Sequence, residues 1–440
     1  MISLVGIKQK LFLAVEIVHL RIFGHEIGGE MILFLKNLNY TFVATIIVGI
    51  LIYTLNILAG RWLSIEDYGR YQLILSMSFF LIIPLLMGLT TSSIHAIAKN
   101  YDPKEVVSSV LLLVVHFSLV FILLMFLFSK ELASLFGVDN YVMVTAIVYS
   151  AFFSLYSIFR SFLQGFLKFQ KIAIFETIYA ASTFCLFLMI ISFFGIKDFR
   201  LPIIAFDFGY LIFGILCVPF LWNYFSVAAF SRKTSKILLQ NGFVMVAASV
   251  SGFLLGNIDK FIINRTIDIK AVAIYSAYFY SAGIFMNIFL QTFITVFFPS
   301  ITQVIDFHKK TIDKKINKLF VFSWPFLVLF SFLFMSISFY LFGEKYNFNY
   351  LLAALFSIYV SLQFFISIKQ WLLASFNEKG MVYSTYSTVV ASLVNIVMVY
   401  FFTLYYGLMG AVSGLIISLV LFIFINRYFL TLLFRENIKI

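Results

Sequence analysis

Twelve apolar runs decide what this chain can become. They fall at 38–60, 71–92, 106–128, 141–163, 172–195 and 200–222, then at 239–259, 271–298, 318–342, 347–374, 381–403 and 408–430. A hydrocarbon core about 30 Å thick takes roughly 20 apolar residues per helical span. Backbone groups left unpaired in lipid are too costly to keep, so a spanning segment is a helix or part of a closed barrel. These runs are uninterrupted and do not alternate in polarity, so they read as helices. Only 11% of the residues are charged, against about 25% in a soluble domain. The expected class is therefore an all-α integral membrane protein with about twelve transmembrane helices.

Charges and chain breakers gather in the separators, such as DYGR, NYDPKE and DFHKKTIDKK. None of these is long enough to fold as a domain of its own. A net charge of +12 in a soluble protein would point toward nucleic acid. In a membrane chain the informative question is on which side the cations lie. With the N-terminus inside, and with Arg160 and Arg427 near span ends counted with the cytoplasmic side, 21 of the 31 Lys and Arg fall on that side, nine on the other, and Lys369 deeper within a span. This bias predicts both termini in the cytoplasm. The cluster HKKTIDKKINK, 308–318, is its strongest single contributor and serves as a topology anchor or a contact for anionic headgroups.

Cys185 and Cys217 both lie inside spans, so no disulfide framework is expected. The five histidines show no metal-ligand spacing. No resident cofactor and no metal are expected, and nucleic acid is not an expected partner.

The first thirty residues differ from the rest. Glu16, His19 and Arg21 break their apolar stretch, and no small-residue cleavage site follows, so a signal peptide is not expected there. An interfacial helix is one reading. Another is that Gly28-Gly29-Glu30 is a translated ribosome-binding site and that the authentic chain starts at Met31.

Sliding the chain by 204 residues lays RWLSIEDYGRY, 61–71, on RTIDIKAVAIY, 265–275. Arg61 meets Arg265, Ile65 meets Ile269 and Tyr71 meets Tyr275. The same shift superposes span 1 on span 7 and span 2 on span 8. Both copies fall on the outer side, so the two sets of six spans share one orientation, related by an axis along the membrane normal. The expected organisation is an N-terminal extension at 1–35, a six-helix bundle at 36–222, a cytoplasmic linker at 223–238, a second bundle at 239–430 and a tail at 431–440. In the first turn, Ser64 is placed to cap the second helix, and Glu66 and Asp67 suit its positive end.

The stretch NILAGRWLSIEDYGRYQLILS resembles the first-loop signature of the polysaccharide biosynthesis proteins, the O-antigen and capsule-unit flippases of the Wzx type. Arg61, Leu63, Glu66, Asp67, Tyr68, Gly69 and Tyr71 match that pattern, while Ser64 replaces a usual glycine. The segment 256–279, with Asp259, Arg265 and Tyr275, is similar to the second-half equivalent, with Ala273 where glycine is common. Pro299 in VFFPSITQ, and Asn395, Gly407, Gly410 and Ala411 further on, match later motifs. The resemblance covers about 36–430. It implies the multidrug/oligosaccharidyl-lipid/polysaccharide exporter fold, with two pseudo-symmetric six-helix bundles around a central cavity that opens alternately to either side. The implied substrate is an oligosaccharide repeat unit on undecaprenyl pyrophosphate, moved from the inner to the outer leaflet, and other glycan-assembly membrane proteins are possible partners.

The physical problem is to carry a charged, polyhydroxylated head through hydrocarbon while its prenyl tail stays in lipid. The candidate cations for such a cavity are Arg61, Arg160, Lys260, Arg265 and Lys369. Each has a plainer alternative: Arg160 and Lys369 as snorkelling side chains, Arg61 and Arg265 as interfacial anchors, Lys260 as the ion-pair partner of Asp259. Asp207 and Asp259 are candidates for coupling to H+ or Na+ or for counter-ions, the second being preferred. Asn257, Gln164 and Gln291 are candidate sugar contacts or helix–helix polar contacts. A drug/cation antiporter of the same superfamily is the near alternative, and would favour an acid-lined cavity. A peptidoglycan-precursor flippase commonly carries extra helices. An integral-membrane glycan polymerase would need a large outer loop, and the longest here is about a dozen residues, so no enzymatic activity is expected.

Overall fold

The computed structural model describes residues 29–436 apart from 100, 196 and 303–305. The side chains of 29–41 and of a few later residues, Gln291 and Pro299 among them, lie outside that description, as do residues 1–28 of the N-terminal extension; the alternative start, Met31, falls within the described backbone. The described residues form fourteen α-helices and two short 3-10 turns, with no strand among them. In chain order the helices are α1 (Gly29–Trp62), α2 (Ile65–Leu86), α3 (Leu89–Ala98), α4 (Pro103–Leu127), α5 (Ser129–Phe136), α6 (Asn140–Gly165), α7 (Phe169–Phe194) and α8 (Arg200–Leu221). There follow α9 (Arg232–Gly256), α10 (Ile258–Thr266), α11 (Ile269–Thr302), α12 (Asp306–Phe342), α13 (Tyr350–Ala374) and α14 (Asn377–Glu436).

Eleven helical segments among the described residues are long and apolar enough to cross a membrane. The sequence predicts twelve spans, and the difference lies in α14. Its apolar segment runs Lys379–Arg435, and 57 helical residues would span about 85 Å at 1.5 Å per residue, far beyond a bilayer. Gly407 breaks it, with φ 58° and ψ −138°. Past that point the chain doubles back. A Cβ on Gly410 would lie 1.8 Å from the Phe402 carbonyl oxygen, and one on Gly414 2.8 Å from that of Met398. Ser418 donates to Asn395 Oδ1 across the same pair at 2.9 Å. α14 is thus an antiparallel hairpin, held close by glycines that let backbones touch.

Other breaks fall inside predicted spans. Met87 and Gly88 both have positive φ and separate α2 from α3. Gly88 sits where a Cβ would come within 2.1 Å of the Gly242 carbonyl oxygen, which fastens this corner to α9. Asn257, at φ −141° and ψ −15°, separates α9 from the short α10. That break places the N-terminal first turn of α10, with Asp259 and Lys260, inside the protein.

The core is continuous across the two sets of helices. It joins Leu55, Tyr68, Tyr71 and Ile74 of α1 and α2 to Phe261, Tyr275 and Tyr278 of α10 and α11. The outward surface carries bare Leu, Phe and Val, as on α4 (Leu119, Leu123, Leu127) and α12 (Val321, Phe322, Phe326), as lipid contact requires.

Candidate functional site

The turn between α1 and α2 is built as the sequence implies. Ser64 accepts from the backbone N–H of Asp67 at 3.0 Å and caps α2. Asp67 holds Arg70 at 3.2 Å within the same turn. Its larger role is to join the two bundles. Glu66 pairs with Lys270 at 3.2 Å, and 204 residues separate the two, so each is the other's counterpart in the repeat. Such a contact forms where a two-fold axis passes between equivalent surfaces. Gly69 belongs to the same crossing: a Cβ there would lie 2.3 Å from the carbonyl oxygen of Ile269, so α2 and α11 meet at backbone distance.

Each turn is also gripped by a loop of the opposite bundle. Lys345 donates to the Leu63 carbonyl, the Tyr346 hydroxyl to Gly60 O at 3.2 Å, and Arg61 reaches Leu341 O at 3.5 Å. On the other side of the axis, Asn264 donates to Gly137 O at 2.7 Å, and Gly137 is the 204-residue counterpart of Leu341. Partial burial pushes the Lys345 ammonium below its ordinary pKa and burial raises that of the Tyr346 phenol. Tyr68, fully buried, meets Phe342 and Tyr346 edge-on at ring distances of 6.0 and 6.1 Å. We call this set of contacts the clasp.

Beneath the clasp lies a buried polar seam. Lys260, 2% exposed, crosses from α10 to donate to Ser76 Oγ of α2 at 3.0 Å. Its ammonium also faces the rings of Phe279 and Tyr280 at 5.2 and 5.6 Å. Asp259, also 2% exposed, accepts from the Tyr275 hydroxyl. A carboxylate in the first turn of a helix is stabilised by the helix dipole, which accounts for Asp259 beside the break at Asn257. Gln72 donates to Asn56 Oδ1 at 3.0 Å, and Asn56 is the counterpart of Lys260 under the 204-residue shift. Ser76 lies about 16 Å along α2 from its first residue at 1.5 Å per residue. The seam therefore sits near the middle of α2, a 22-residue helix about as long as a 30 Å hydrocarbon layer is thick.

The five predicted cations do not converge on one cavity. Arg61 and Arg265 are exposed at helix ends beside the clasp. Arg160 binds Glu176 at 2.6 Å between α6 and α7, with the Tyr156 hydroxyl on the same carboxylate oxygen at 3.1 Å. Lys369 pairs with Asp313, and the two side chains are 9% and 16% exposed. Lys260 is the one in the seam. Asp207 keeps one buried carboxylate oxygen without a hydrogen-bond partner among the described residues. A cleft of about 400 Å³ between α2 and α9 is lined by Phe79, Leu86, Thr90, Ser249 and Asn257 among others. A second, of about 210 Å³ within the second bundle, is lined by Gln363, Gln370, Asn395 and Ser418 among others. Asn257 thus lies at a cleft, and Asn395 is engaged in the α14 hairpin and with Leu254 O at 3.1 Å.

Sequence reading missed Gln72, Ser76, Glu66 as an inter-bundle partner, and the 343–346 loop. The repeat contains the signal for three of them, since the shift lays Glu66 on Lys270, Gln72 on Ser276 and Ser76 on Tyr280.

A family model described as polysaccharide biosynthesis protein matches residues 34–305. The chain belongs to this family. A search of curated proteins gives no match. Among solved structures, the chain is similar to an inward-facing multidrug resistance MATE family transporter of the MOP superfamily, at 16% identity and TM-score 0.68, covering 89% of this chain and 98% of that one. It is also similar to a MOP superfamily transporter from Pyrococcus furiosus, reported to have a binding pocket of reversed polarity, at 16% identity and TM-score 0.63, covering 90% and 96%. An outward-facing MATE transporter matches at 16% identity and TM-score 0.62, with coverage of 90% and 96%. At these identities the likeness establishes the fold, which this family member, a multi-pass membrane protein, shares with those structures.

Proposed function

We propose that this protein is a flippase that moves an undecaprenyl-pyrophosphate-linked oligosaccharide repeat unit, for O-antigen, capsule or exopolysaccharide, from the inner to the outer leaflet by alternating access. Family membership ties the chain to polysaccharide biosynthesis, and the fold is that of transporters. The distribution of Lys and Arg supports an inner-membrane location with both termini cytoplasmic. In this reading the clasp closes the outer side, and the bundles part there to release the head.

The observation that carries the reading is Lys260, a cation buried at the contact between the two bundles and bonded to the middle of α2 rather than exposed at a helix end. A buried intramembrane charge is costly, and its usual use is in a substrate or ion pathway. Lys260 meets the hydrophilic head, and Arg61 and Arg265 act through the clasp. Arg160 and Lys369 stay with their carboxylates as internal ion pairs. We assign a coupling H+ or Na+ to Asp207 in place of the counter-ion role, since its buried Oδ1 has no hydrogen-bond partner among the described residues.

The test is genetic and direct. A deletion strain accumulates lipid-linked glycan on the inner leaflet and loses surface glycan. The Asp259→Asn/Lys260→Met pair removes both charges at similar volume. It reaches the membrane in normal amounts and fails to restore export. Full export by that pair would remove the seam from the mechanism.

A further inference from the structure

The seam contains polar atoms that the fold leaves unused. Gln72 Oε1, Asp259 Oδ1 and the Ser276 hydroxyl are buried and have no hydrogen-bond partner among the described residues. Gln72 and Ser276 are fully buried. A buried polar group without a partner is costly, and these three lie beside Lys260 or one helical turn from its neighbours: Asp259 precedes it, Gln72 is four residues before Ser76 on α2, and Ser276 is four before Tyr280 on α11. Such a cluster points to a ligand that meets them in another state of the protein.

The kinds of atom decide what that ligand is. An amide oxygen and a carboxylate oxygen only accept hydrogen bonds, and a serine hydroxyl does either. Beside them, the Lys260 ammonium has three N–H donors, one used on Ser76. Phosphate oxygens at neutral pH chiefly accept. They would satisfy Lys260, leave Gln72 Oε1 and Asp259 Oδ1 without donors, and be repelled by the carboxylate. Sugar hydroxyls donate and accept at once, and match a mixed set of this kind. The rings of Phe279 and Tyr280 beside Lys260 supply apolar walls for the C–H faces of a sugar.

We propose that the contact between α2, α10 and α11 is a glycan-hydroxyl site, formed by Gln72, Ser76, Asp259, Lys260 and Ser276, and hidden until the clasp above it parts. Lys260 then exchanges Ser76 for a sugar oxygen, and Asp259 and Gln72 accept from sugar hydroxyls. The pyrophosphate binds elsewhere. The inference rests on the flippase reading and adds to it which part of the substrate the seam receives.

Full-length protein in lipid nanodiscs, with Cys185→Ser and Ser276→Cys, is treated with a water-soluble maleimide. Native Cys217, fully buried inside the first bundle, reports unfolding. The expected result is labelling at position 276 while Cys217 stays unreactive. Lipid-linked glycan extracted from the deletion strain suppresses that labelling, and undecaprenyl pyrophosphate without sugar does not. No labelling at position 276 under any condition overturns the opening of the seam. Equal protection by both lipids overturns the sugar assignment and leaves the flippase reading intact. Protection by neither overturns the site, and the export assay then judges the flippase reading separately. Gln72→Glu, which keeps the acceptor and removes the amide donor, is measured in parallel by complementation. It retains more export than Gln72→Leu, and the reverse order contradicts the proposal.

Discussion

Glu66 and Lys270 lie 3.2 Å apart and occupy the same position in two copies of one repeat. Equivalent positions carrying opposite charges across an axis attract, where identical residues would repel. The pair is half-exposed, with side chains 46% and 58% open, so its energy is small, about 0.2–1 kcal/mol. Its use is to set the register of α2 against α11. Glu66→Lys and Lys270→Glu singly should each weaken the clasp, and the double exchange should restore it. Export in complemented cells, read as a double-mutant cycle, checks the coupling. Additive effects would mean the pair is incidental.

Gly69 sets how closely the bundles meet. A Cβ there falls 2.3 Å from a backbone oxygen, which no side-chain rotation relieves. Gly69→Ala should cost about 1–3 kcal/mol, as overpacking does. Its counterpart Ala273 already carries a Cβ, and Ala273→Gly should cost about 1 kcal/mol of helix propensity plus the loss of a buried methyl, together about 1–2 kcal/mol. Thermal melts in detergent compare the two.

Lys369 and Asp313 form a mostly buried pair. Removing one partner leaves the other charge uncompensated, at about 3–5 kcal/mol. Lys369→Ala should therefore lower the amount of folded protein in the membrane. Lys369→Met with Asp313→Leu should recover that amount, with normal export per molecule. Quantitative immunoblots beside surface-glycan assays separate abundance from activity.

Gly407 has φ 58° and ψ −138°, a conformation essentially reserved to glycine. Gly407→Ala should destabilise the α14 hairpin by about 1–3 kcal/mol. Gly410→Ala should do at least as much, since its Cβ would strike the Phe402 carbonyl. Both should appear as lowered melting midpoints.

The spans were legible because length and polarity alone specify them. The α14 turn was legible at Gly407 through the gap between runs, although helical backbone resumes at once on either side. The partners of the intramembrane charges were not. Arg160 meets Glu176 of the next helix, and Lys369 meets Asp313 at a separation of 56 residues. Such meetings depend on helix rotation and depth, which no local pattern records. The break at Asn257 was also hidden, since the apolar run continues through it. The clasp lay in between: the repeat aligned its members, but their contact required knowing that the axis runs between α2 and α11.

The most direct measurement concerns the cargo itself. Purified protein is reconstituted in proteoliposomes whose inner leaflet carries lipid-linked glycan, and the sugar reaching the outer leaflet is counted with an external glycosidase or lectin. The account predicts transfer by the native chain and none by the Asp259→Asn/Lys260→Met pair. Transfer that is equal for both, or absent for the native chain, would contradict it.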